Sequence, residues 1–254
     1  MNNRERAISF MDGVEERSAG RVVPFSHGQA FLREELPRVY DLNFLRVTKQ
    51  GASAEQLAAE TERVQGPLGH RHRRVDLWDE AEARRLEPGF AALGWKPQWL
   101  VVMPHRGAPD REGSTEVREV DHETLRPLWT EGIRSEPFGQ DDEVVRQLLE
   151  HRAVSEQAVP TRYFAALVDG RVASFCELFS ADGVGQIEGV LTLPERRGRG
   201  LARSVVLKAL EESRAGSNEL TFLVAEEDDW PKELYAKLGF ETAGRYAQFL
   251  RESV

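Results

Sequence analysis

One stretch restricts the fold more than any other: Val190-Leu191-Thr192-Leu193-Pro194-Glu195-Arg196-Arg197-Gly198-Arg199-Gly200-Leu201-Ala202-Arg203. An apolar strand stops at a proline, becomes a glycine-punctuated turn rich in arginine, and from Leu201 reads as a helix. Such a corner leaves the unpaired N–H groups of a helix N-terminus facing a turn whose glycines admit a ligand close to the backbone. With arginine charge added, the layout suits an anion such as a pyrophosphate. Three other readings can be weighed. A plain strand-to-helix corner with solvated arginines needs no ligand. A P-loop requires Gly-Lys-Ser/Thr at its end, whereas Gly200 is followed by Leu201 and Ala202, so that reading fails. The dinucleotide fingerprint is met only in part, because Arg203 stands where its third small residue belongs.

The pattern of Arg197, Gly200 and Ala202, Arg-x-x-Gly-x-Ala, resembles the acyl-CoA pyrophosphate loop of the GNAT superfamily of N-acetyltransferases. A strand over residues 220–225 follows, and then Leu234-Tyr235-Ala236-Lys237-Leu238-Gly239-Phe240, similar to that family's second signature, Leu-Tyr-x-x-x-Gly-Phe on a helix. Two motifs in the right order are more specific than either alone. The resemblance covers about residues 116–251. Over that span the periodicities predict a strand, two helices, three strands, a helix, a strand, a helix and a strand. Asp169-Gly170 between two β-rich runs marks a hairpin, and Leu201, Val205 and Leu210 give the next helix its apolar face. The implied fold is a mixed, mostly antiparallel α/β sheet flanked by helices.

The first half is read in the same way. It opens irregularly, with a strand near residues 21–25 and a buried strand over 40–47. Ser53 and Gln56 form a capping box at the start of a helix that ends before Gly66-Pro67. Another strand runs from His70 to Leu77. Its two histidines share one face, but without further ligands a polar strand face is favoured over a zinc site. Asp79 starts a further helix, which leads to Phe90-Ala91-Ala92-Leu93-Gly94-Trp95 and a strand at 99–103.

That hexapeptide aligns position for position with Tyr235-Ala236-Lys237-Leu238-Gly239-Phe240, which suggests a degenerate internal repeat. The competing explanation is a common helix C-cap. Phe90 has no hydroxyl where Tyr235 has one, and Gln50-Gly51-Ala52-Ser53 lacks the arginine-rich turn. The expected organisation is therefore a degenerate GNAT-like unit over residues 1–103, a linker over 104–115 rich in proline, glycine and charge, and a catalytic GNAT domain over 116–254. Cys176 is the only cysteine, so no intrachain disulfide can form; its apolar neighbours mark it as a buried strand residue rather than a nucleophile.

The net charge of −9 argues against a general nucleic-acid binder and suits a cationic amine, though ordinary solubility explains it equally well. The N-terminal residues are polar and no run is long enough to span a membrane, so a cytoplasmic protein with no membrane partner is expected.

The resemblance implies acetyl-CoA as acyl donor and an amine as acceptor, in a monomer or homodimer. It gives the pantetheine arm and the thioester carbonyl to the backbone near Val190, Leu191 and Thr192. The pyrophosphate falls to Arg197, Gly198, Arg199, Gly200, Leu201, Ala202 and Arg203. Tyr235 is given the role of proton donor to the leaving thiolate; a core tyrosine with a satisfied hydroxyl is the competing role. Asp228 stands where the family often has asparagine, so a cofactor contact and helix capping both remain open for it. For the general base the first candidate is Glu188, then Glu177, with His122 and His151 in or at the start of helices behind them. The expected activity is N-acetylation of a primary amine of a small molecule by direct attack on the thioester. The alternative is a non-catalytic acyl-CoA binding or sensing protein.

Overall fold

The computed structural model describes residues 1–252. Eleven strands form one sheet: β1 (Arg21–Phe25), β2 (Gly28–Leu32), β3 (Phe44–Val47), β4 (His72–Leu77), β5 (Lys96–Pro104), β6 (Val117–Val120), β7 (Thr161–Val168), β8 (Arg171–Ala181), β9 (Val184–Thr192), β10 (Leu220–Glu226) and β11 (Gly244–Glu252). Seven α-helices accompany them: α1 (Asn3–Ser18), α2 (Ala54–Gln65), α3 (Glu80–Ala92), α4 (His122–Ser135), α5 (Asp142–Ala158), α6 (Leu201–Ala215) and α7 (Pro231–Lys237). From β6 onward the order is the one the sequence predicts.

The spatial order is β1-β2-β3-β4-β11-β5-β10-β9-β8-β7-β6. Outward from the β11/β5 pair the pairing reads the same in both directions. The two central strands are antiparallel; β4 and β10 are antiparallel to them; β3 and β9 are parallel to β4 and β10; and β2 and β8 are antiparallel again. Each half of the chain thus places its last strand inside the other half. β5 lies between β11 and β10, and β11 lies between β4 and β5. This exchange is invisible to local periodicity, because a strand pattern does not name its partner.

Alternation along β5 fixes the layers. Trp99, Val101 and Met103 face the cores under α2, α3, α6 and α7, while Leu100 and Val102 face Ala7, Phe10 and Met11 of α1. On that second face Leu125, Leu128 and Trp129 of α4 pack on Tyr163 and Phe175. The expected Asp169-Gly170 hairpin is present, with both residues at positive φ, 53° and 75°, as a tight hairpin turn requires. The Ser53/Gln56 capping box is also present.

Several local expectations are corrected. The opening is not irregular: α1 begins at residue 3 under a capping box in which the Glu5 amide donates to Asn2 Oδ1 at 2.9 Å and Glu5 Oε2 accepts from the Asn2 amide at 2.9 Å. Its apolar residues are sparse, which is why periodicity missed it. The stretch at 40–47 is a 3-10 turn over Tyr40–Leu42 followed by strand only from Phe44, because the Asn43 side chain bonds the Leu36 and Val39 carbonyls and breaks the extended run. The strand expected from His70 starts at His72. His70 and His72 do share a face, their rings stacked with centroids 5.5 Å apart, and no group of three or more metal-ligating side chains occurs among the described residues. Burial holds both imidazoles below the usual histidine range, His70 at about 4 and His72 at about 3, so both are neutral near pH 7.

Candidate active site

Gly198 and Gly200 adopt φ of 75° and 78°, and space is open where a Cβ on Gly198 would project. Two left-handed residues just before a helix turn successive amides to one side. None of the amides from Gly198 to Arg203 donates a hydrogen bond among the described residues. The first intrahelical bond is the Ser204 amide to the Gly200 carbonyl, 3.1 Å. Free amides, the positive end of a 15-residue helix and an unobstructed glycine face make an anion cradle that fits a diphosphate.

The turn's arginines do not behave alike. Arg197 stays at the turn, its Nε 3.3 Å from the Thr192 carbonyl. Arg196 reaches across to Asp169 at 3.3 Å. Arg203, expected at the phosphate, is 4% exposed and turned inward; it pairs with Asp110 and donates to the Arg111 carbonyl at 3.1 Å. At that position on α6 the side chain lies against the crossing segment, so Arg203 fastens that segment and offers the turn only its amide. Residues 105–111 also cross the end of α7, where the Arg106 and Gly107 amides bond the Gly239 carbonyl at 2.9 and 3.0 Å.

Just upstream, the sheet opens. The β9/β10 ladder runs from Val184↔Leu220 to Ile187↔Leu223 and stops. β9 continues beside β8 as far as Thr192↔Ser174, while β10 continues beside β5 as far as Glu226↔Leu100. From Glu188 onward, the backbone edge of β9 that faced β10 has no strand partner. A bulge accompanies the opening: two residues, Gly189 and Val190, stand opposite Cys176 alone, with Gly189 at φ 59°. The bulge exchanges the faces of the strand, so Val190 packs toward the α6 core and Leu191 toward Trp129. The edge from Glu188 to Thr192 is a place where an extended chain can hydrogen-bond to the sheet.

On the α1/α4/α5 face of the opening, Glu188 and Glu177 are register partners across β9 and β8. Glu177 is 1% exposed and accepts from Arg152 at 2.5 Å. Burial raises its pKa, and Arg152 opposes the rise. Glu188 accepts from the Gln186 amide group. Burial pushes its carboxyl up to about 7; the Gln186 bond opposes this and the charge of Glu177 adds to it. A carboxylate poised near neutrality can take a proton from an incoming group and lose it again. On the opposite face sits Tyr235, whose hydroxyl makes no hydrogen bond among the described residues although the residue is 7% exposed. Burial first, and then the Glu188 charge, raise its pKa, so at neutral pH the phenol holds its proton.

Cys176 is fully buried with its Sγ 3.2 Å from the Val205 carbonyl, and burial raises its thiol well above the usual range, as a structural residue requires. Asp228 is exposed and caps nothing. α7 starts at Pro231 with Trp230 as its N-cap and no side-chain cap, and Asp229 accepts only from the adjacent Trp230 amide at 2.8 Å. His122 hydrogen-bonds Glu156 at 2.8 Å, away from Glu188. His151 lines the cleft, its pKa lowered by burial to about 4.

Residues 123–240 match the family model of the acetyltransferase (GNAT) family. The second half of the chain thus carries that family's sequence pattern. Among solved structures, a conserved protein of unknown function from Staphylococcus epidermidis is 17% identical, with 93% of this chain and 95% of that one covered at a TM-score of 0.72. A GCN5-related N-acetyltransferase from Kribbella flavida is 20% identical, with 98% and 95% covered at 0.64. A tandem GNAT protein from the clavulanic acid biosynthesis pathway is 16% identical, with 82% and 75% covered at 0.53. These likenesses extend the shared fold through the first half of the chain. No curated protein matches the sequence significantly. The cradle, the opened β9 edge and Tyr235 all lie within the matched residues. No helix of the described residues is long and apolar enough to cross a membrane.

Sequence reasoning ranked Glu188 and Glu177 without seeing that they are partners. It did not find Arg152, which balances Glu177, or Tyr246 of β11 and Glu15 of α1, which line the same cleft of about 970 Å³. An arginine at the middle of an amphipathic helix carries no local mark of the carboxylate it will meet.

Proposed function

We propose that the chain transfers the acetyl group of acetyl-CoA to a primary amine of a small molecule, with a single active site in residues 116–254. One observation carries the reading: the gap between β9 and β10 has on one face a carboxyl whose pKa is raised to about 7, on the other a protonated phenol, and at its end a row of amides without hydrogen-bond partners among the described residues. The amides from Gly198 to Arg203, with Arg197 and Arg199 beside them, would hold the diphosphate, and the free edge near Val190, Leu191 and Thr192 the pantetheine arm. Asp228, exposed just beyond the end of β10, would contact the cofactor from that side.

Acetyl-CoA supplies an activated acyl group on a thiol leaving group. The protein's own residues supply the rest. Glu188 accepts a proton from the acceptor ammonium, directly or through water, and leaves a neutral nucleophile. Amides of the opened β9 edge stabilise the negative charge that develops on the carbonyl oxygen. As the C–N bond forms, the attacking nitrogen gives up its second proton to water; as the C–S bond breaks, Tyr235 donates its proton to the departing sulfur and regains one from solvent, while Glu188 returns its proton to solvent. Burial, with the charge of Glu177 adding to it, holds the Glu188 carboxyl at about 7, so it can both take and release the proton.

We assign residues 1–103 to a degenerate GNAT-like unit joined by residues 104–115. The matching hydrogen bonds at the ends of α3 and α7 support this. The Trp95 amide bonds the Phe90 carbonyl at 2.9 Å and the Phe240 amide bonds the Tyr235 carbonyl at 3.0 Å, with Gly94 and Gly239 both at positive φ. A thiol-release assay with acetyl-CoA over a panel of primary amines tests the activity. Release that depends on an amine is expected; CoA binding without turnover on any amine would favour the sensing alternative.

A further inference from the structure

The cleft in front of Glu188 does not end in the second half of the chain. Its far wall carries Glu15 of α1, Asp41 and Arg74, with Gln248 of β11. The lining also carries an apolar set, Met11, Val14, Leu42, Leu100, Trp129 and Phe179, beside Arg152 and Gln186. The charges at the far end do not balance. Arg46 is shared by Asp12, Glu15 and Asp76, Glu15 at 2.6 Å and Asp76 at 3.8 Å. Arg74 is shared by Asp76, through two bonds of 2.8 and 2.9 Å, and Asp41. Four carboxylates thus share two guanidinium groups; against burial, Arg74, with Arg152 adding to it, holds the Asp41 carboxyl below its usual range, His151 beside it is neutral, and the shortfall falls on Glu15. Burial pushes the Glu15 carboxyl up to about 7 even against Arg46, which marks it as an anion short of positive charge.

A second observation is independent of these acids. Tyr246 is 5% exposed and lines the cleft, yet its hydroxyl has no hydrogen-bond partner among the described residues. The ring is buried while the hydroxyl keeps its access to the cleft, where a ligand or water can complete its hydrogen bonds. Burial first, and then the charges of Asp76, Glu15 and Glu188, raise its pKa, so the phenol holds its proton.

We propose that the cleft takes an acceptor with two amino groups on an apolar spacer, the reacting amine at Glu188 and the second ammonium held by Glu15 and Asp41, with the Tyr246 hydroxyl hydrogen-bonding the acceptor between them. The inference rests on the acetyl-transfer reading and names its substrate class. It gives the first half of the chain a function in that reaction: its carboxylates recognise the end of the acceptor that does not react. An ammonium there supplies the missing positive charge, and the apolar set accepts methylene groups without stranding a polar atom.

The test is calorimetric binding of linear α,ω-diamines of four to eight carbons, each beside the monoalkylamine of equal length, to the full chain saturated with CoA. Thiol release from acetyl-CoA is measured on the same pairs. At the best length the diamine is expected to bind at least about tenfold tighter than its monoamine, since an ammonium–carboxylate pair in a sheltered site is worth about that much. Glu15→Gln should remove most of that advantage and leave monoamine turnover unchanged. Tyr246→Phe should reduce it with the fold intact, and so covers the case in which the Glu15 variant is unstable. Equal binding of diamine and monoamine at every length, or an advantage that survives both substitutions, overturns the subsite. Diamine-selective binding with no thiol release from any amine would keep the subsite and overturn the acetyl-transfer reading instead.

Discussion

The two halves of this chain build the same corner and put different chemistry on it. At the end of α3 the Leu93 and Gly94 amides bond the Phe90 and Ala91 carbonyls at 3.1 and 3.0 Å; at the end of α7 the Leu238 and Gly239 amides bond the Tyr235 and Ala236 carbonyls at 3.0 and 3.1 Å. Each corner then sends its strand into the opposite half. The backbone plan is common, but only one copy has a hydroxyl at the helix and two positive-φ glycines before the preceding helix. In the first half, α2 begins under the Ser53 capping box, whose side chains consume the amides that Gly198 and Gly200 leave free in the second. A well-capped helix start is stable and cannot bind an anion. An uncapped one gives up that stabilisation, about 1 kcal/mol, and remains available to a ligand.

The comparison can be broken most sharply at the proton acceptor. Glu188→Gln is expected to lower kcat by roughly 10³-fold, within the range for a lost general base, with CoA affinity nearly unchanged. The pH profile adds a sign. Glu188 works as the carboxylate and its pKa is raised to about 7, so kcat/KM should rise with pH through about 7 and the limb should vanish in the variant. A wild-type profile flat from pH 6 to 8 would remove Glu188 from the role. Tyr235→Phe makes the second half resemble the first at one atom. It should reduce turnover by about 100-fold at unchanged CoA affinity, and equal losses in both would make Tyr235 a binding or folding residue.

A smaller effect separates the matching glycines. Gly94→Ala meets open space and bears only the left-handed strain, about 1–2 kcal/mol. Gly239→Ala carries the same strain and also drives a Cβ to 2.4 Å from the Gly107 carbonyl oxygen, so its melting temperature should fall further. Equal shifts would show that the segment crossing α7 is not held there. Smallest of all, Phe90→Tyr should leave acetyl transfer unchanged, since the fully buried ring stacks on Phe249 with centroids 4.4 Å apart and no opened ladder lies beside it. A gain in turnover would contradict a single site.

What could be read in advance follows the same division. The Gly198/Gly200 turn, Tyr235 and the element order of the second half were legible because each is a local pattern with one physical cause. α1 was not, since Ala7, Phe10 and Met11 are few among charged residues and find their core only after β5 and β11 have crossed. The inward turn of the Arg203 side chain was not legible, because a charged residue near a phosphate turn and one tying down Asp110 look alike in sequence. The cleft's second end was illegible for the strongest reason: Glu15, Asp41 and Tyr246 lie far apart in the chain and meet only through the exchanged strands.

The most direct measurement is a crystal structure of the full chain with acetyl-CoA. The account predicts one molecule per chain, its pantetheine arm along the β9 edge from Glu188 to Thr192, its diphosphate on the amides from Gly198 to Arg203, and its sulfur beside Tyr235. A molecule seated between β3 and β4 in the first half, or an arm lying outside the gap between β9 and β10, would contradict it.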